Sequence, residues 1–296
     1  SGCAIIGAYG SRWAEEPEKL LSQPGAGTSR PGTIYPFLSM DLKAEKQLIV
    51  NADDYGTNEA RNRGILEAAR KGIVTTTTVI ATTIKSDDSL LNLKKQFGTC
   101  IGIHLNLTMG APLSDRPKTL LDQSGKFWNK STLWQKALHG DLDLSEVEEE
   151  FAAQVNHLLK LGIQPDHVDG NNHIHVFPGI AEVVARLARS FGVTWVRLPL
   201  EPFTGWCQWF RKNARKKSFM GRLSRHAAEV FTAHGLRFTD NFAGIQFPVV
   251  LKLESLKAFV ANLPYGTTEL MCHPGYQDPQ AGSFSSAERE RELYVL

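Results

Sequence analysis

The chain of 296 residues has no apolar run long enough to cross a membrane. Its longest apolar stretches, such as Leu48–Val50 and Val249–Leu251, are strand-sized, whereas a spanning helix needs about 20 residues. Cysteine is scarce. Cys3, Cys100, Cys207 and Cys272 stand far apart and form no CxxC pair, which excludes a disulfide framework and a zinc knuckle and favours a reducing compartment. The N-terminus lacks a basic start followed by an apolar core, so no secretory leader is read and a cytoplasmic location is expected. Excess charge of one sign is missing too. A formal net charge of +2 argues against nucleic acid or an anionic membrane as partner. No short internal repeat is present.

A hydrophobic share of 42% supports a sizeable core, and the length suits one large domain or two small ones. Residues 1–45 differ from the rest: Gly, Pro and Ser cluster over Ser22–Gly32 without sustained periodicity, so a poorly ordered extension is expected, followed by one domain over 46–296. Met40, just before the first convincing strand, is the expected natural start. From Leu48 onward, strand-like segments alternate with helical ones. Strands are expected at Leu48–Val50, Thr75–Ala81, Cys100–Leu107, Asp166–Asp169, Thr194–Leu198 and Thr267–Cys272. Helices are expected between them, including Ile84–Phe97, Ser145–Leu161 with Ser145 as N-cap, Ile180–Phe191 and Leu253–Leu263. This alternation predicts an α/β fold with a mostly parallel sheet and helical crossovers. Arg211–Arg225 carries seven Lys or Arg residues and reads as a solvated helix face.

Four segments put polar residues where strands should end, and in barrels and open α/β sheets that is where active sites lie. They are Asn51–Asp54, His104–Asn106, His167–His175 and Glu269–Gly275. Adjacent aspartates after a buried strand raise one another's pKa unless something compensates their charge. A divalent cation on one of them would do so, leaving the other as a base. Asp54 as a plain helix cap is the simpler reading of an isolated pair. The histidines weigh against it: His104, then His167, Asp169, His173 and His175 crowded on one loop, supply a stock of metal ligands. His273, between Cys272 and Pro274, is placed to act as a general acid.

These segments together resemble the YdjC-like carbohydrate deacetylases, which include the chitooligosaccharide deacetylases. The matching stretches are Leu48–Gly56, Gly102–Leu107, His167–Gly170 with His173 and His175, and Met271–Gly275, in the same order and spacing. Arg197–Glu201 and His234–Asp240 look closest to the animal members. The resemblance implies a deacetylase-type (β/α) barrel and hydrolysis of an N-acetyl group from an acetylated mono- or oligosaccharide. It implies one divalent cation, magnesium ahead of zinc, and a homodimer, since relatives are often dimers. By position, Asp53 matches the general base, Asp54 and His104 match metal ligands, and His273 matches the general acid. Arg197 is expected to pair with Asp53. The family usually has a third histidine ligand where this chain has Asn171, a neutral amide that suits magnesium or calcium better than zinc. His173 is the expected substitute ligand. A sugar-binding relative without catalysis is the alternative. The family continues through another helix and strand past the position of Leu296, so the barrel is expected to lack them. Trp128, Trp134, Trp206 and Trp209 are candidates to stack on sugars, though packing is the commoner use of such residues.

Overall fold

A computed structural model describes Ile6–Gly7 and residues 45–296, apart from 85–87, 116, 202–213, 246–251 and 281–285. The expectations for Met40, for the Ser22–Gly32 cluster, for Trp206 and Trp209 and for the first part of the basic stretch lie outside the described residues. So does nearly all of the predicted extension, of which Ile6–Gly7 (β1) pairs antiparallel with Leu48 and Gln47.

Seven further strands run parallel. In chain order they are β2 (Lys46–Tyr55), β3 (Thr76–Val79), β4 (Ile101–Leu105), β5 (His167–Gly170), β6 (Trp195–Val196), β7 (Asn241–Ala243) and β8 (Gly266–Cys272). Their spatial order is β6-β5-β4-β3-β2-β8-β7. Helices α1 (Glu59–Lys71), α2 (Asp88–Phe97), α3 (Lys130–His139), α4 (Leu144–Lys160), α5 (Ile180–Ser190), α6 (Ala214–Ala233), α7 (Leu253–Ala261) and α8 (Ala287–Val295) connect or follow them. No helix among the described residues is long and apolar enough to cross a membrane.

The sheet curls, and hydrogen bonds show how far. Arg237 bridges to Trp195 of β6 at one edge, while Asn241, four positions later, pairs with Thr268 of β8 at the other. Four residues span at most about 14 Å, so the two edges approach one another and the sheet rolls into a barrel. Aliphatic side chains of the strands, such as Val50, Ile103 and Val168, are buried under the helices with Val183 and Val184 of α5. Each such side chain contributes roughly 1.5–3 kcal/mol.

Local chemistry explains most boundaries. Asn58 caps α1 by accepting from Arg61 N, and Asn129 caps α3 by accepting from Thr132 N. The predicted cap Ser145 is displaced: Asp143 is the N-cap of α4 and accepts from both the Ser145 N–H and its hydroxyl. Asp143 starts the helix two residues earlier and meets the orphan Ser145 N–H with a charged acceptor. Ile84, the predicted start of a helix, instead closes a turn onto Ile80 O, and α2 is described from Asp88. Gly64 of α1 lies so close to Gly275 that a Cβ would come within 2.5 Å of its Cα, which seats α1 directly against the loop after β8.

α4 also fastens a loop. Gln154 and Glu150 are fully buried, and Glu146 stands one turn further back. Gln154 exchanges hydrogen bonds with the Asn106 backbone, Glu150 accepts from Leu113, Ser114 N and the Ser114 hydroxyl, and Glu146 accepts from Lys118 and Thr119 N. Residues at i, i+4 and i+8 share one helix face, so α4 presents three acceptors in a row to the segment after β4.

Candidate active site

Asp53 and Asp54 are neighbours in β2, and regular strand geometry would send their side chains to opposite faces. Two departures prevent this. The β2–β3 register shifts between Ala52 and Tyr55, so Asp53 and Asp54 together oppose Thr78. Asp54 also takes a left-handed backbone, φ 74°, a conformation that costs an L-residue about 1–2 kcal/mol and that aspartate tolerates better than most. Both carboxylates thereby turn toward the cluster formed by β4, β5 and β8, and both are buried.

Asp53 is gripped on all sides. The Arg197 guanidinium, just past β6, donates to its two oxygens at 2.7 Å each, and Asn51 Nδ2 donates to Oδ1 at 2.7 Å. The same guanidinium pairs with Asp169 Oδ2 at 2.6 Å and donates from Nε to Glu269 Oε1 at 2.6 Å. Burial opposes ionisation of Asp53, but Arg197 outweighs it and holds the carboxyl well below the usual range. Burial likewise works against charge on Arg197, and Asp169, Asp53 and Glu269 overcome it. Glu269 is the weak member, with burial pushing its pKa up against the pull of Arg197.

Asp54 is held more loosely. Its nearest described partners are Asn171 Nδ2 at 3.4 Å, His104 Nε2 at 3.6 Å and Arg61 NH1 at 3.8 Å. His104 Nδ1 faces Asp169 Oδ1 at 2.6 Å, which directs Nε2 toward Asp54. Burial disfavours the charged ring, yet Asp169 and the two neighbouring aspartates lift its pKa to about 9. Asn171 turns its oxygen the other way, onto the Thr108 hydroxyl at 2.7 Å and the Asn172 amide. His273 Nε2 lies 3.8 Å from Asp53 Oδ2. Its backbone is pinned by Glu292, which accepts from its N–H, and by Arg61, which donates to its carbonyl at 2.8 Å. Burial, then Arg289, holds the His273 ring below its ordinary pKa, so it rests neutral.

The candidates named from sequence thus fall into place as follows. Asp53, Asp54, His104, Asn171, Arg197 and His273 converge. His173 takes another position: left-handed at φ 58°, it sets its ring edge-on to Phe242 at 6.4 Å and near His175 at 6.3 Å. Trp134 packs on Phe177 and Phe219, and Trp128 donates to Thr119 O at 2.8 Å, so both serve packing. The sequence places Asn51 and Glu269 at polar strand ends without giving either a role, and offers nothing for Arg61. Glu269 had a visible signal, a lone acid in an otherwise uncharged strand, while a buried arginine on α1 has none in the sequence.

A divalent cation has two candidate seats here. Asp53, His104 and Asp169 bring ligand atoms within 4.8 Å of one another. Arg197 already lies against both of those aspartates and supplies the positive charge there, which argues against that seat. Asp54, His104 Nε2 and Asn171 form the better one: a buried carboxylate with only long contacts, an imidazole nitrogen oriented from behind, and an amide. This donor set fits a hard or borderline cation once the Asn171 amide turns its oxygen inward, away from Thr108, and His104 gives up its proton.

The model of the YdjC-like protein family matches residues 47–296. This chain belongs to the YdjC-like family. The YdjC-like chain is 36% identical to the carbohydrate deacetylase of Mus musculus, over 84% of this chain and 87% of that protein. It is 32% identical to the chitooligosaccharide deacetylase of Klebsiella pneumoniae, over 85% and 91%. Among solved structures it is similar to a putative cellobiose-phosphate cleavage protein from Enterococcus faecalis, with 25% identity and a TM-score of 0.67 over 84% of this chain and 89% of that one.

Proposed function

We propose that this YdjC-like protein hydrolyses the N-acetyl amide of an acetylated carbohydrate and releases acetate. The observation that carries the reading is Asp53, kept ionised by a two-pronged arginine and facing His273 beside the Asp54–His104 pair. The names of the relatives point to deacetylation and to a carbohydrate substrate.

Asp54, His104 and Asn171 would hold the cation, which when bound supplies Lewis acidity to the acetyl carbonyl and the attacking water. Asp53 takes one proton from that water. His273, neutral at rest and 3.8 Å from Asp53, passes that proton to the leaving nitrogen as the carbon–nitrogen bond breaks. The proton lost by water therefore ends on the amine, and the acid formed gives its remaining proton to the free amine or to solvent, so the products are acetate and an amino sugar. Arg197 keeps Asp53 charged and aimed, and Asp169 fixes the His104 ring.

The test is acetate release from N-acetylated oligosaccharides with added magnesium, zinc or manganese. Wild-type protein should release acetate, and Asp53→Asn should lower kcat about 10²–10⁴-fold. Sugar binding without acetate release under any ion would leave a binding protein and end the enzymatic reading.

A further inference from the structure

An asparagine amide offers its nitrogen in one direction only if its oxygen is satisfied in the other. Asn51 gives its nitrogen to Asp53 Oδ1 at 2.7 Å and, more weakly, to Thr78 Oγ1 at 3.3 Å. Its oxygen meets His167 Nε2 at 3.2 Å. The other ring nitrogen of His167 meets Asp166 Oδ1 at 2.5 Å. Both ring nitrogens therefore face oxygens; against burial, Asp166 raises the pKa of the ring, and with a proton on each nitrogen it donates to Asn51 as well as to Asp166. His167 opens β5 whereas Asn51 lies on β2, with β4 and β3 between them in the curl of the sheet. Gly102 of β4 makes this reach possible, because a Cβ there would lie 2.4 Å from His167 Nε2. The arm begins at the partly exposed Asp166, at 31% side-chain exposure, and ends on the carboxylate of Asp53.

We infer that His167 is a positioning residue for Asp53: by donating to the Asn51 oxygen it fixes which way the Asn51 amide points, and so secures the N–H that Asn51 gives to Asp53. This rests on the reading of Asp53 as the base. With Asn51 and one Arg197 nitrogen both on Oδ1, that oxygen is saturated and Oδ2 is the one turned to His273. An inverted Asn51 amide would set one acceptor oxygen against another and rotate the carboxylate off this line.

Glutamine and glutamate at position 167 separate this role from a structural one. They have the same shape and the same reach as the histidine Nε2 edge, but glutamine donates to Asn51 and glutamate only accepts. Steady-state acetate release should show His167→Gln within about threefold of wild-type kcat, and His167→Glu about tenfold or more below His167→Gln, with KM unchanged and thermal midpoints matched. In an Asn51→Leu background the difference between the two should vanish. Equal kcat for the two variants, or a difference that persists without Asn51, would overturn the inference. An active enzyme indifferent to Asp53→Asn would bring down the base reading itself. An Asp53-dependent enzyme indifferent to Gln versus Glu would bring down only the role of His167.

Discussion

The two aspartates at the end of β2 share a backbone and differ in almost everything else. Around Asp53 the contacts that hold it are short, Arg197 at 2.7 Å, Asn51 at 2.7 Å, and behind them Arg197 to Asp169 and Glu269 at 2.6 Å, while His273 stands off at 3.8 Å. Around Asp54 the contacts run from 3.4 to 3.8 Å, beyond good hydrogen-bond length. The first side is complete within the protein, with charge met by charge and the carboxylate preorganised. The second side is a buried carboxylate facing groups that are themselves held from behind, His104 by Asp169 and Asn171 by Thr108. A cation gains most where the resident partners are farthest, so the proposed ion belongs with Asp54 and the proposed proton transfer with Asp53.

Three measurements probe that contrast. The largest effect should come from Arg197→Met, which leaves three buried carboxylates around an apolar side chain. Urea unfolding should show a loss of about 3–5 kcal/mol, accompanied by loss of acetate release. A loss under about 1 kcal/mol would mean that the tight side owes little to its arginine.

The next concerns His175, which meets the Arg197 carbonyl through Nε2 at 3.0 Å and so belongs to the tight side. Burial lowers its pKa to about 4. The unfolded chain, with an ordinary pKa near 6.5, binds this proton first as pH falls. Stability is therefore full above pH 6.5 and declines as pH drops toward 4, by about 3 kcal/mol for this residue. His175→Gln should flatten the fall in unfolding free energy between those two pH values by that amount. A slope identical to wild type would show that His175 already carries a proton in the folded protein.

The smallest effect tests the loose side. Asn171→His should raise zinc affinity by about tenfold, read by titration calorimetry. Unchanged affinity would mean that position 171 stands outside the ligand set.

The sequence was a good guide to the strands and a partial one to the site. Buried parallel strands announce themselves as short apolar or β-branched runs, and polar residues at their ends mark one rim of the sheet. Thus the strands at Leu48–Val50 and Thr267–Cys272, and the convergence of Asp53, His104 and His273, could be read before any coordinates. Short pieces were missed. β7 covers only three residues, and α3 and α8 carry weak amphipathic patterns. What determines the site in detail was out of reach for a different reason. The bulge that turns Asp53 and Asp54 the same way depends on the register of β3 against β2, which no local pattern encodes. The burial of Arg61 and the reach of Glu269 to Arg197 depend likewise on neighbours distant in the chain. Side-chain direction is also invisible in a sequence. Asn171 stands at the expected place but turns its nitrogen, rather than its oxygen, toward Asp54.

The stretch from Arg237 to Ala243 bears on the order in which the molecule is assembled. It pairs with β6 at its start and β8 at its end, and β8 begins only at Gly266. A segment that must find two edges can dock only when both exist, and closing a loop across the whole barrel comes at an entropic cost that local pairings avoid. On the ribosome, Asp53 and Arg197 emerge well before His273, which follows β8 directly. The seam and the proposed acid therefore arrive together. Until that late moment the nascent chain carries two unpaired sheet edges and half a reaction centre, so the step that removes its exposure to aggregation is also the step that makes it chemically competent.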